Sequence, residues 1–425
     1  MPLIGCIADD LTGATDLASM LVQGGARTLQ VMGVPSAPLE TADIDALVVA
    51  LKSRSLPPTA AVRESLRALA WLHRQGCRQF YFKYCSTFDS TAEGNIGPVT
   101  DALLAALDSD FTVACPGYPE NRRTVFNGYL FADGVPLNES GMQDHPLTPM
   151  NDANLVRVLK PQTRRPVGLL DYATLRRGVA VTRARIAELR TAGIGIAICD
   201  SIDDADLETL GRACVDLPLV TAGSGLALGL TTAWRDRGAL PASGDAASLL
   251  PPRGRRAILS GSCSRATLAQ LQQARALYPS FHLEAGELME RGNGLVAEAI
   301  AWSAVQHADQ AVLISASSPP DEVRRVQERF GGLAVGERIE HALGEIARAL
   351  VYRQDVGQLL VTGGETSGAV VRALKVGGLR IGPRIDPGVP WTQAIGDDGK
   401  VLSLALKSGN FGSVDFMVKA WEALA

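Results

Sequence analysis

The sequence is poor in the residues that build metal centres, and its cysteines form no framework. It holds five histidines, and none stands within five positions of another. A zinc site of the usual His or Cys spacing is therefore excluded from the reading. The seven cysteines (Cys6, Cys77, Cys85, Cys115, Cys199, Cys214 and Cys263) are scattered, odd in number and without a C-x-x-C pair. They read as reduced and mostly buried thiols of a cytosolic protein. No run of about 18 apolar residues occurs, so no membrane span is expected. The opening Met-Pro-Leu-Ile-Gly-Cys-Ile-Ala-Asp-Asp lacks a basic region and meets two carboxylates early, unlike a secretory signal. A cytoplasmic location is the expectation. There is also no excess of charge of one sign. Lys and Arg number 41 against 45 Asp and Glu, a net charge of −4. No basic footprint for nucleic acid follows, and an anionic ligand would have to be met by a few placed cations.

What is present is an ordinary globular composition, 46% hydrophobic and 20% charged, spread over 425 residues. That length exceeds one comfortable core, so two domains are expected. Short apolar runs at 3–8, 28–32, 46–50, 79–83, 112–115, 167–170, 196–199 and 219–222 read as strands. Longer helical patterns at 13–23, 59–75, 98–107, 179–192 and 205–214 alternate with them. The rhythm is that of an α/β fold with a largely parallel sheet. Residues 122–137 break it with a hairpin-like excursion ending in Asp133-Gly134. Residues 238–254, rich in Pro, Gly and Ser, read as a linker. Beyond it the rhythm restarts, with strands at 257–260, 311–315, 359–362 and 401–406 and helices at 265–277, 295–306, 337–351 and 367–374. The expected organisation is two α/β domains, 1–237 and 255–425, with largely parallel sheets and an active-site cleft between them.

The first strand runs into Asp9-Asp10-Leu11-Thr12-Gly13-Ala14-Thr15-Asp16 and a helix. Ligands in open α/β sheets sit just past the carboxyl ends of strands. Adjacent carboxylates there raise each other's pKa unless a cation or hydroxyls relieve them. One could bind substrate hydroxyls and the other accept a proton. The plainer alternative is that Asp10 or Thr12 only caps the helix. Three further strand ends carry Gly or Ser turns: Ser260-Gly261-Ser262, Gly363-Gly364-Glu365-Thr366 and Lys407-Ser408-Gly409. Such turns let backbone amides approach phosphate at a helix start, but alone they are weak signals, and no Walker A pattern is present. Thr221-Ala222-Gly223-Ser224-Gly225 and the following Gly229 narrowly miss a dinucleotide fingerprint and read as a strand-helix turn.

Taken together, Ala8-Asp9-Asp10-Leu11-Thr12-Gly13-Ala14-Thr15-Asp16, Lys52-Ser53-Arg54-Ser55 and the segment from Lys83 through Asp89-Ser90-Thr91 to Gly94-Asn95 resemble the signatures of the four-carbon acid sugar kinases. The resemblance runs over nearly the whole chain. Glu93 stands where many members carry Arg, and the loop has a longer Cys-Ser-Thr-Phe-Asp-Ser-Thr form. That form, Glu120-Asn121-Arg122-Arg123 and the segment Gln143 to Met150 look like the 3-oxo-tetronate branch. The resemblance implies an ATP-dependent kinase with Mg²⁺, acting on a small acid sugar. It implies Asp9 and Asp10 as catalytic residues. Thr12, Asp16, Arg54, Lys83, Ser86, Asp89, Ser90, Asn95 and Arg122 would bind substrate, with Arg54 a candidate for the carboxylate because guanidinium binds it in a fork. Ser260, Gly363, Gly364, Glu365, Thr366 and Gly409 would bind ATP, with Glu365 helping Mg²⁺. His145 is assigned a hydrogen-bonding role in its loop. No nucleic-acid or membrane partner is implied, no protein metal site is assigned, and a homodimer is kept open as the assembly. The alternatives are a D-threonate or D-erythronate kinase, a sugar-acid binding module, and a Rossmann dehydrogenase that lacks its fingerprint.

Overall fold

The computed structural model describes residues 1–425 except 37–38, 40–42, 145–147, 242–243, 396–400 and 425. His145 thus lies outside the described residues. The chain divides into two units, Met1–Ala247 and Ser248–Ala425.

The first unit begins with β1 (Ile4–Ala8), α1 (Leu11–Gln23), β2 (Thr28–Met32), β3 (Ala46–Ala50), α2 (Pro58–Arg74), β4 (Gln79–Lys83), α3 (Ile96–Ala106) and β5 (Thr112–Cys115). A small antiparallel meander follows, β6 (Arg123–Phe126), β7 (Tyr129–Ala132) and β8 (Val135–Pro136). Its turns are Asn127-Gly128 and Asp133-Gly134, all four residues at positive φ, as two-residue hairpin turns require. The unit closes with α4 (Leu155–Leu159), β9 (Val167–Leu170), α5 (Tyr172–Leu175), α6 (Val179–Thr191), β10 (Ile196–Cys199), α7 (Asp204–Cys214), β11 (Leu219–Ala222) and α8 (Leu226–Asp236). Eight strands form a wholly parallel sheet in the order β2-β3-β1-β4-β11-β5-β10-β9. Every residue of β1, β3, β4, β5, β10 and β11 is buried. This is why they read as continuous apolar runs without alternation. The connection from β1 leads to β2 on one side of β1, and that from β4 leads to β5 on the other. The carboxyl ends of β1 and β4 therefore flank a topological switch point, the usual place for a ligand in such sheets.

The near-miss glycine motif is explained by packing. A Cβ on Gly229 would lie 1.9 Å from the Leu207 carbonyl oxygen, and one on Gly211 would lie 2.1 Å from the Gly229 carbonyl carbon. These two glycines let α7 and α8 touch backbone to backbone.

The second unit contains β12 (Arg255–Ser260), α9 (Arg265–Leu277), β13 (Ser280–His282), α10 (Ala285–Arg291), α11 (Asn293–Ala304), β14 (Val312–Ser315), α12 (Pro320–Phe330), α13 (Gly332–Arg353), β15 (Val356–Thr362) and α14 (Gly364–Ala373). Strands β16 (Gly378–Asp386), β17 (Val389–Ile395) and β18 (Leu402–Lys407), then α15 (Phe416–Lys419), complete it. Strands β13-β14-β12-β15-β18 are parallel, and β17 and β16 join antiparallel. The antiparallel pair is absent from the sequence reading. Pro383 and Pro390 and two register shifts interrupt its period-2 pattern. The carboxyl half of the Pro-rich stretch is fastened to this pair: Gln393 donates to the Leu250 carbonyl at 2.5 Å and accepts from its amide at 2.9 Å. Trp391, Phe416, Met417 and Trp421 anchor the core on that side.

Candidate active site

Asp10 is the N-cap of α1, and Oδ1 accepts from the Gly13 amide at 3.1 Å. The Thr12 hydroxyl donates to Oδ2 at 2.9 Å. The capping alternative therefore holds, and it does not exhaust the residue. Arg54, in the loop after β3, forks onto Asp9 through Nε (2.9 Å) and Nη2 (2.8 Å), and Nη2 also reaches Asp10 Oδ1 at 2.6 Å. The Asp9 carbonyl accepts the amides of Ser53 and Arg54, so the loop is pinned to the end of β1 by backbone as well. Asp9 and Asp10 keep Arg54 protonated even though burial opposes its charge.

The two carboxyls are driven apart. Burial pushes Asp9 above the usual carboxylate range and outweighs Arg54. Burial acts on Asp10 too, but Arg54, Lys83, the Thr12 hydroxyl and the Gly13 amide together hold it below that range. The Asp9 side chain is 9% exposed and that of Asp10 26%. Of the pair, Asp10 is the ionised acid that faces outward. Lys83 ends β4 and is buried. Among the described residues its ammonium makes no hydrogen bond, although Asp9, Asp10 and Asp16 all feel its charge. A Cβ on Gly13 would sit 2.4 Å from Lys83 Nζ and 2.2 Å from Asp10 Oδ1. Only glycine allows that pair to close over the start of α1.

Other candidates are occupied elsewhere. Asp16 is buried, with Ser224 donating to one oxygen at 2.5 Å and Tyr118 to the other at 3.2 Å. It ties α1 to the turn after β11 and to the Tyr118 segment. Asn95 sends Nδ2 to the carbonyls of Ser53, Arg54 and Leu56 at 2.9, 3.2 and 3.0 Å. It supports the Arg54 loop, and although Asn95 stands at the N-cap position of α3 its side chain makes no capping bond there. Ser86 is half-buried beside Gly223. Asp89 accepts from Thr87 at 2.6 Å. Ser90 is buried with its hydroxyl unpartnered. Arg122 lies apart: it adopts φ 57°, is largely exposed and pairs with Asp133 of the meander. Burial and nearby Asp89 push the Cys85 thiol to about 11, so it stays neutral near pH 7. Phe88, which sequence reading passed over, is buried at φ 53° against Tyr84. A left-handed aromatic residue is uncommon and marks a constrained turn in the Cys85–Asn95 loop.

In the second unit the glycine turns after β12, β15 and β18 meet. Ser260 is buried, its hydroxyl accepting from Thr362 at 2.7 Å and 2.8 Å from that of Ser317. Gly363 takes φ 116°, which disfavours any side chain. A Cβ there would press on the Ser262 amide at 3.2 Å. One on Gly261 would lie 2.2 Å from Thr366 Oγ1, and one on Gly409 would lie 2.7 Å from Ser262 Oγ. Gly364 and Glu365 are exposed at the first turn of α14. Ser367, in the same turn, is buried with its hydroxyl unpartnered. Bare backbone at a helix start fits phosphate oxygens. Sequence reading missed Lys407 as a side chain. It is fully buried at the end of β18 and donates to Thr267 Oγ1 and to the carbonyls of Ser408 and Gly409 at 3.1, 3.0 and 2.9 Å. Burial lowers it to about 7 against the raising influence of Asp386. A lysine closing the apolar strand Leu-Ser-Leu-Ala-Leu-Lys was the available signal.

A family model for a sugar-binding N-terminal domain matches residues 4–230, and one for a nucleotide-binding C-terminal domain matches residues 257–417. A 3-oxo-tetronate kinase of Burkholderia multivorans is 56% identical over 423 residues, covering 100% of this chain and 97% of that one. Its counterpart in Pseudomonas fluorescens is 56% identical over 426 residues with the same coverage. The chain belongs to the 3-oxo-tetronate kinase branch of the four-carbon acid sugar kinases. Two solved structures share this family's fold with the chain. One, from Salmonella typhimurium LT2, is 43% identical with a TM-score of 0.90 over 98% of each chain. The other, from Haemophilus influenzae, is 43% identical with a TM-score of 0.85 over 99% of this chain and 100% of that one. The sugar-binding match contains the Asp9–Asn95 cluster, and the nucleotide-binding match contains all three glycine turns.

Proposed function

We propose that the protein transfers the γ-phosphoryl group of ATP to the 4-hydroxyl of a 3-oxo-tetronate, giving the 4-phosphate and ADP. The observation that carries this reading is Lys83. A buried ammonium without a hydrogen bond among the described residues stands beside the ionised, outward-facing Asp10 at the switch point of a parallel sheet. The pair suits a molecule that brings both an anion and a hydroxyl. In the transfer, the bond from the γ-phosphorus to the ADP oxygen breaks. A bond from the substrate's 4-oxygen forms, and the hydroxyl proton leaves toward Asp10.

A carboxylate held at low pKa is a weak base, so we assign Asp10 mainly to orienting the hydroxyl. Phosphoryl transfer needs positioning and charge neutralisation more than a strong base. Asp9 and Arg54 hold Asp10 in place, and Asn95 holds Arg54. Lys83 meets the acid's negative charge, the role first expected of Arg54, whose fork is taken by Asp9. Ser86, Asp89 and Ser90, on the loop after β4, are assigned to the substrate's remaining oxygens. ATP phosphates would lie on the amides of Gly363–Thr366, with Ser260 and Gly409 beside them.

Among the described residues no group of three or more His, Cys, Asp or Glu is placed to hold a metal ion. Mg²⁺ would accompany the ATP phosphates and offset their charge, with Glu365 the acid at hand. No helix of the described residues is long and apolar enough to cross a membrane. A cytoplasmic location and a homodimer belong to the same reading, and seven free thiols suit a reducing compartment.

The test is ADP release from Mg-ATP with a panel of 3-oxo-tetronates, threonate and erythronate. Turnover on the oxo acids is expected. Turnover confined to threonate or erythronate would keep the kinase and overturn the substrate. Acid binding with no turnover on any member would replace the kinase with a binding module.

A further inference from the structure

Lys407, fully buried at the end of β18, stands where the three glycine turns meet. A buried ammonium is costly unless hydrogen bonds replace its water, and a methionine of similar length would pack there without that cost. What the lysine adds is therefore its bonds. An ammonium has three N–H groups. Those of Lys407 go to Thr267 Oγ1 and to the Ser408 and Gly409 carbonyls at 3.1, 3.0 and 2.9 Å. All three partners are neutral oxygens of the protein, so no N–H is left over for a phosphate oxygen. The two carbonyls belong to successive peptides of the turn after β18. No peptide bond there is cis, so each amide points opposite to the carbonyl of its own peptide unit. With both carbonyls drawn onto Nζ, the amides of Gly409 and Asn410 are turned away from it. Neither amide makes a hydrogen bond among the described residues.

The same residue joins the other two turns. Its backbone carbonyl accepts the Gly363 amide, after β15, at 2.8 Å. Ser264 and Thr267, at the start of α9 after the turn that follows β12, donate to the Gly409 carbonyl at 2.5 and 2.9 Å. That carbonyl is thus held by hydroxyls of α9 and by the ammonium of β18 together.

We infer that Lys407 is a positioning residue for nucleotide binding: with Thr267 it fixes the peptides of the turn after β18 so that their amides face outward, and it does so without touching the nucleotide. The inference rests on the nucleotide-binding role proposed for the second unit and adds the side chains that set this turn.

The experiment uses the full chain and two probes, Mg-ADP and inorganic tripolyphosphate. Binding is read by calorimetry on the acid side of pH 7, where Lys407 carries its proton. Lys407→Met keeps the backbone bond to Gly363 and removes the three side-chain bonds. The Kd for both probes should rise about tenfold, as expected when a pre-set turn is loosened. The melting temperature should hold or rise, because a buried charge is gone. Thr267→Val removes an acceptor of Nζ and a donor to Gly409 without changing any charge, and should weaken both probes about threefold or more. Thr267→Ser keeps the hydroxyl and should bind both within about twofold of wild type. This pair decides the matter by itself if Lys407→Met does not fold. Wild-type affinity in Lys407→Met and Thr267→Val overturns the inference, and so do equal losses in Thr267→Val and Thr267→Ser. Weakening in Lys407→Met with wild-type affinity in Thr267→Val also overturns it, since the ammonium would then act on the nucleotide by its charge. Failure of the wild-type chain to bind either probe overturns the nucleotide role and this inference with it.

Discussion

Replacing Gly13 with alanine should separate activity from stability. The new Cβ would lie 2.2 Å from Asp10 Oδ1 and 2.4 Å from Lys83 Nζ, where ordinary contact begins near 3.4 Å. One or both polar groups must retreat by roughly 1 Å, a misplacement that can cost on the order of 10²-fold in rate. Two effects on stability oppose each other. Alanine in place of a helical glycine contributes up to about 1 kcal/mol, and a disturbed N-cap costs about 1 kcal/mol. The net change should stay within about 1 kcal/mol, or about 2–4 °C in melting temperature for a unit of this size. The assay pairs kcat/KM for the acid sugar with a melting curve and Mg-ADP affinity, which should not change. Gly294→Ala is the control: it sits in the first turn of α11 with nothing within 4 Å of its would-be Cβ. It should leave activity alone and hold or raise the melting temperature. Gly13→Ala activity within about threefold of wild type would refute the placement of Asp10 and Lys83 in the reaction; 10²-fold is the scale expected from misplacement.

Asn95→Ala should lower stability by about 1–2 kcal/mol and raise KM for the acid with KM for ATP unchanged, because three carbonyls of the Arg54 loop lose their donor. Asn95→Asp should be worse than alanine, since a carboxylate would face those carbonyls; equal effects in steady-state kinetics and urea unfolding would contradict the assignment. Lys407 predicts a pH dependence. Its folded pKa of about 7 lies below the unfolded value of 10.5, so between these limits the unfolded chain binds the extra proton. The stability it contributes is present above 10.5 and is lost as pH falls toward 7. The difference in unfolding free energy between wild type and Lys407→Met should therefore rise by at most about 1.4 kcal/mol per pH unit across that window. Urea unfolding at pH 7, 8.5 and 10 measures it, and a flat difference would refute the burial of a titrating ammonium.

The sequence by itself determined the elements. Parallel strands buried on both faces must be short apolar runs, and β2, β3, β4, β5, β9, β10 and β11 lie at the residues their runs mark. Local chemistry also marked the strand-end turns, since only glycine or small polar residues suit a sharp exit into a helix. The roles of the polar side chains were decided by tertiary structure. Nothing near Asp16 in the chain announces that Ser224 and Tyr118 will occupy both its oxygens, and the carbonyls that Asn95 holds lie 39–42 residues away. Burial of Lys407 depends on Thr267, 140 residues earlier. Arg54 and Lys83 read alike as cations, yet one is forked onto Asp9 and the other is left without a hydrogen bond among the described residues. A side chain's charge is written in the sequence. Whether that charge is satisfied by the protein or left for a ligand depends on which distant groups the folded chain brings within about 3 Å.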